Sequence, residues 1–138
     1  MDRAHRRKGL ECRSEEIRGA TTIHVSGELD ISARDILGQT LEVALDLGKP
    51  ICLVLKDVTY IDSGGIGLFF RYLRKASMRG VYLAVANPSH IARLVMEIAA
   101  LDLHLTVFPD VETFLQRIDG PIGHAHLEKP AGGHSEVG

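Results

Sequence analysis

No apolar run in this chain approaches the roughly 18 residues that a membrane-crossing helix needs. The N-terminus carries charge with no apolar segment behind it, so neither a span nor a secretory signal is predicted. Cysteine is scarce. Cys12 and Cys52 are the only two in 138 residues, both fall in strand-like runs, and without a secretory signal they are expected to be reduced and buried, in a cytoplasmic, reducing compartment. An excess of charge of one sign is also missing: the formal net charge is −2, which provides no overall basic field and argues against sequence-independent nucleic-acid binding. Internal repeats are absent, and so are low-complexity blocks outside the polar ends. What is present, 45% hydrophobic and 25% charged residues, suits one globular domain with its own core and leaves no room for a second.

The domain is expected over residues 10–119, between two flexible ends. Residues 1–9 hold Arg3, His5, Arg6, Arg7 and Lys8 with almost nothing apolar, the composition of a mobile basic tail that cannot offset its own ordering entropy. Residues 120–138 form a second tail; its His124, His126, His134 and Glu128 lack the fixed scaffold a metal site needs. From Leu10 to Glu16 a weak strand signal precedes a turn at Arg18-Gly19, and Thr21-Thr22-Ile23-His24-Val25 alternates as a half-exposed strand does. Ser32 with Asp35 three residues on suggests a capping box, and the helix it opens carries Ala33, Ile36, Leu37, Thr40, Leu41 and Ala44 on one face until Gly48-Lys49-Pro50 ends it. Ile51-Cys52-Leu53-Val54-Leu55 is a short continuous apolar run, as in a strand buried on both faces.

A second helix is predicted with Ile66, Phe69, Phe70, Leu73 and Ala76 inward and Arg71, Arg74 and Lys75 outward. Val81 to Val85 is the next strand. Asn87-Pro88 reads as a cap and first helical position, followed by an inward stripe of Ile91, Leu94, Val95 and Ile98. Leu103 to Val107 is a final strand, and Asp110 caps a last helix with Val111, Phe114, Leu115 and Ile118 inward. Strand-helix-strand units in succession require parallel pairing through right-handed crossovers. The fold class is therefore α/β, with a mixed, mostly parallel sheet of about five strands and about four helices.

One junction stands out chemically: Asp62-Ser63-Gly64-Gly65-Ile66-Gly67, between a buried strand and a helix, with Ser63 placed to cap the helix. A nucleophilic serine needs a base in reach and a third group to orient it, yet His24, His90 and His104 lie on different elements in no triad spacing. The glycines lack the Gly-Lys-Ser/Thr ending of a phosphate loop. No enzyme activity, cofactor or metal is predicted.

Together with Gly27-Glu28-Leu29-Asp30 upstream, this junction resembles the STAS domain of bacterial anti-sigma factor antagonists, over roughly Leu10 to Ile118. The resemblance implies a compact β-α superhelix in which the serine after the aspartate is phosphorylated. Carried over, the acceptor is Ser63. Many members have a second hydroxyl residue next; here that place is Gly64. The implied function is a phosphorylation-controlled switch that, unphosphorylated, binds an anti-sigma factor that is also a serine kinase, and so frees a sigma factor. A serine phosphatase would reset it. The alternative is a constitutive STAS scaffold or transporter-associated module whose serine merely caps. Partner contacts are expected at Asp30, Asp62, Ser63, Gly64 and Gly65, at Leu68 as an exposed apolar anchor, and at Arg71, Arg74 and Lys75.

Overall fold

The computed structural model describes residues 3–7 and 9–119. Six strands lie side by side in chain order: β1 (Arg3–Arg7), β2 (Leu10–Ile17), β3 (Ala20–Leu29), β4 (Ile51–Ile61), β5 (Leu83–Ala86) and β6 (Val107–Phe108). Pairing is antiparallel from β1 to β3 and parallel from β3 to β6. The parallel steps are bridged by α1 (Ala33–Leu47), α2 (Ser63–Met78) and α3 (His90–Ile98), and α4 (Val111–Asp119) closes the described chain. A 3-10 turn, Leu101–Leu103, follows α3.

The apolar run of β4 explains the layering. Because successive strand residues face opposite sides, Ile51, Leu53 and Leu55 join Ile23, Val25, Leu83 and Val85 in a large core under α1, α2 and α3. Cys52 and Val54 turn the other way, to Ala84, Ala86 and Phe108, and pack under Phe114, Leu115 and Ile118 of α4. Phe114 is held edge-on by Phe108, with ring centroids 5.6 Å apart. Both cysteines are free and buried, and burial pushes each thiol up to about 12.

Local signals place several ends where the sequence predicts. Gly48, left-handed at φ 73°, closes α1 by donating its N–H to Leu45, and Asp110 Oδ1 accepts from the Thr113 N–H at 2.7 Å. Two expectations fail, and a third falls outside the described residues. Residues 3–7 of the predicted mobile tail form an edge strand, paired to β2 from Arg3↔Ser14 to Arg7↔Leu10; backbone hydrogen bonds to a neighbouring strand supply what the side chains lack. The predicted C-terminal tail lies outside the described residues from residue 120 on. In α3 the cap is Ser89, not Asn87: its Oγ accepts from the Ala92 N–H at 3.1 Å and donates to the Val58 carbonyl at 2.7 Å.

That second bond ties α3 to β4 and sets which way the helix faces. Ala92 and Met96 are buried, whereas Leu94 and Ile98, expected inward, are exposed by 44% and 77%.

Candidate functional site

The site grows from the end of β4, where the chain stays extended through Asp62 (φ −109°, ψ −172°) before α2 begins. Asp62 Oδ1 accepts from the Gly65 N–H at 3.1 Å. Asp62 is therefore the helix cap, not Ser63 as the sequence predicts. An ionised carboxylate is the stronger acceptor for a helix N–H, and the extended backbone at residue 62 presents it to the third amide. Ser63 becomes the first helical residue. Its side chain is exposed, and among the described residues its hydroxyl makes no hydrogen bond.

The two glycines that follow face inward. A Cβ at Gly64 would lie 2.9 Å from the backbone N and Cα of Ile31, and one at Gly65 would lie 2.3 Å from the Leu29 carbonyl oxygen. They let the start of α2 sit directly against the Leu29–Ser32 connection, which the Asp62 N–H reinforces by donating to Leu29 at 3.1 Å. In that connection Asp30 Oδ1 accepts from the Ser32 N–H at 2.9 Å and also from the Ser32 hydroxyl. The predicted Ser32/Asp35 capping box does not form: Ser32 is already helical at φ −71°, ψ −15°, so its hydroxyl turns back to Asp30. Asp30, Asp62 and Ser63 are thus brought to one surface, where two connections meet.

Further along α2 the expected contact residues divide. Gly65, Leu68, Phe69, Tyr72 and Ala76 form the buried face. Leu68 is only 5% exposed and is no surface anchor. The stripe is turned by about 80° from that predicted, at roughly 100° per residue, because Gly65 must meet the Leu29 backbone and so rotates the helix about that contact. Phe70, expected inward, is 38% exposed and lies edge-on to His104, centroids 5.9 Å apart. The signal that would have found it is the glycine pair: counting the buried face from Gly65 rather than Ile66 sends Phe70 outward.

Arg71 and Arg74 are exposed as predicted. Lys75 is taken. Its Nζ pairs with Glu42 of α1 and lies 5.2 Å from the centre of the Tyr72 ring. The Lys75 hydrogen bond, above all, lowers the Glu42 carboxyl below its ordinary value. Burial, followed by its own hydrogen bond to Glu42, raises the Tyr72 phenol. Arg79 adds contacts to Glu42 at 3.5 Å and Asp46 at 3.2 Å.

The described histidines His24, His90 and His104 lie on different elements. His24, on β3, hydrogen-bonds Glu15 at 2.9 Å; His90 opens α3, and His104 follows the 3-10 turn. Among the described residues no group of three metal-ligating side chains occurs, and the histidines at 124, 126 and 134 lie outside them. No described helix is long and apolar enough to cross a membrane.

A family model for the STAS domain matches residues 11–114. The anti-sigma-B factor antagonist of Bacillus subtilis is 28% identical over 79 residues, covering 57% of this chain and 72% of that protein. Among solved structures, an anti-sigma factor antagonist from Mycobacterium paratuberculosis matches with a TM-score of 0.70 at 19% identity, over 80% of this chain and 95% of its own. The Bacillus anti-sigma factor antagonist SpoIIAA, 23% identical over 75% of this chain, matches in its unphosphorylated form with a TM-score of 0.61 over 92% of that chain. Its phosphorylated form matches with 0.57 over 96%. At these identities the structural likenesses bear on the fold alone. With the family model spanning β2 to the first turn of α4, the chain belongs to the STAS domain family.

Proposed function

We propose that this chain is an anti-sigma factor antagonist whose binding to its partner is switched off by phosphorylation of Ser63. The observation that carries the reading is the division of labour at the start of α2. Asp62 caps the helix, which leaves the Ser63 hydroxyl exposed and free of internal hydrogen bonds. Relatives named as anti-sigma-B and anti-sigma F factor antagonists support the role. A structural neighbour that exists in phosphorylated and unphosphorylated forms supports the switch. The partner would be an anti-sigma factor with serine kinase activity, acting in the cytoplasm, and a serine phosphatase would reverse the modification.

The electrostatics fit a switch that acts at the interface and not on the fold. A phosphate adds about −1.5 to −2 charges at neutral pH. On the first helical residue it sits at the positive end of the helix dipole, and the cap it would otherwise disturb is made by a different side chain. A partner covering this surface would have to bury the new dianion beside the Asp62 carboxylate, a cost of several kcal/mol unless it were paired. Gly64 and Gly65 serve this site from behind, by letting α2 reach the Leu29–Ser32 connection.

The test is to incubate the protein with ATP and a serine kinase of the anti-sigma factor class and to map the modified residue by fragment mass spectrometry. One phosphate on Ser63, and none on Ser63→Ala, is expected. A phosphate on the exposed Ser77 or on Ser89 would overturn the assignment.

A further inference from the structure

Along the α1–α2 seam the cations are used unequally. In the half remote from Ser63, Lys75 of α2 and Arg79, which caps its C-terminus, are paired with Glu42 and Asp46 of α1. In the half near Ser63 a groove of about 360 Å³ opens between the helices, lined by Ile31, Arg34, Asp35, Leu68, Arg71 and Tyr72. Arg34 and Arg71 are both exposed, and among the described residues neither makes an ion pair. With two guanidiniums against one carboxylate, the groove is net positive.

We propose that this groove receives an acidic segment of the protein partner, Arg34 and Arg71 each pairing with a carboxylate. This rests on the partner reading above and adds the chemistry that the partner must present. Three features point to a peptide. The groove is at the lower end of the roughly 300–1,000 Å³ typical of ligand clefts, roomier than one small anion requires. Its lining is mostly polar, with one exposed apolar side chain at a wall, Ile31 at 65%, a place for the aliphatic stem of a glutamate. Finally, it is continuous with the phosphoacceptor surface, because Ile31 is the residue against which Gly64 packs. Guanidiniums suit the role, since their planar fork takes a carboxylate through two parallel hydrogen bonds. Arg34 has no counterpart among the contacts expected from the sequence; it lies on α1, and only the fold brings it to Arg71.

The experiment is an NMR titration of the full-length, isotope-labelled chain with the capped peptide Glu-Leu-Glu-Glu, using Gln-Leu-Gln-Gln as the uncharged control. Expected are shifts at the side-chain N–H groups of Arg34 and Arg71 and at the Ile31 amide. They should weaken with salt, be absent with the glutamine peptide, and reflect binding about tenfold or more weaker in the Arg34→Gln/Arg71→Gln variant. Arg71→Lys, which keeps the charge but not the fork, should fall between. Equal shifts with the glutamine peptide, unchanged affinity in the variants, or the same response to inorganic phosphate at equal concentration would overturn the proposal. The peptide probe involves neither a kinase nor phosphorylation of Ser63. A silent groove with Ser63 phosphorylated would remove only this inference, and a responsive groove with Ser63 untouched would remove only the phosphorylation reading.

Discussion

At Asp62 and Ser63, adjacent side chains separate a structural task from a proposed chemical one, and the separation is measurable. Asp62→Ala should cost about 1 kcal/mol in urea unfolding, the usual loss for a helix N-cap, while Ser63→Ala should change stability by less than about 0.5 kcal/mol. Equal losses would mean that Ser63 shares the cap. Gly65→Ala should be worse than either, by about 1–3 kcal/mol, since its Cβ would meet the Leu29 carbonyl at 2.3 Å and backbone would have to move. An unchanged unfolding midpoint for that variant would contradict the packing described. The proposed acceptor, Ser63, and the glycines that follow it stand out in the sequence because they form one short run. The identity of the cap was not, because Asp62 and Ser63 are both good N-caps and only the backbone angles at residue 62 decide between them.

Among the elements, α1 and α2 are joined across the surface by Glu42, which accepts from Lys75 and Tyr72. The folded-state carboxyl is depressed below its ordinary value of 4.5. Its contribution to stability is therefore fully present above the unfolded value and is lost as pH falls through the folded one. Glu42→Gln should thus cost at most about 1 kcal/mol at neutral pH, the group being partly exposed and solvent-screened, and the difference from wild type should vanish in strong acid. A pH-independent difference would assign the loss to packing. From β2 onward the order of elements was readable from periodicity, as Ile51 to Leu55 and the α4 stripe illustrate, but the last strand is only Val107–Phe108 where Leu103 to Val107 was expected. The facing of α2 and α3 was not, since apolar residues ring more than half of each helix. Tertiary contacts, Gly65 on Leu29 and Ser89 on Val58, choose the buried side and leave Phe70, Leu94 and Ile98 outside.

For the whole molecule, the sheet is covered on both sides, and one cysteine reports from each: Cys12 in the large core and Cys52 in the smaller one under α4. With both thiols buried and raised to about 12, neither should react with a thiol reagent at pH 8 in the native state. If the two layers unfold as one unit, both should label at the same denaturant concentration. Earlier labelling of Cys52 would show that the α4 side opens separately. The edge strand β1 is the part of the fold that composition concealed, because Arg3, His5, Arg6 and Arg7 carry no strand pattern and gain order only through the ladder with β2.

Ser63 is proposed as a switch at an interface whose helix stays folded. Its most direct test is the dissociation constant of an anti-sigma factor kinase for this protein, by calorimetry, before and after stoichiometric phosphorylation of Ser63, with the α2 amide signals followed by NMR in the same samples. Binding weakened by about 100-fold or more, the order of ~3 kcal/mol that an unpaired buried charge costs, with the first turn of α2 intact, is the predicted result. Unchanged affinity, or a loss accompanied by melting of α2, would contradict it.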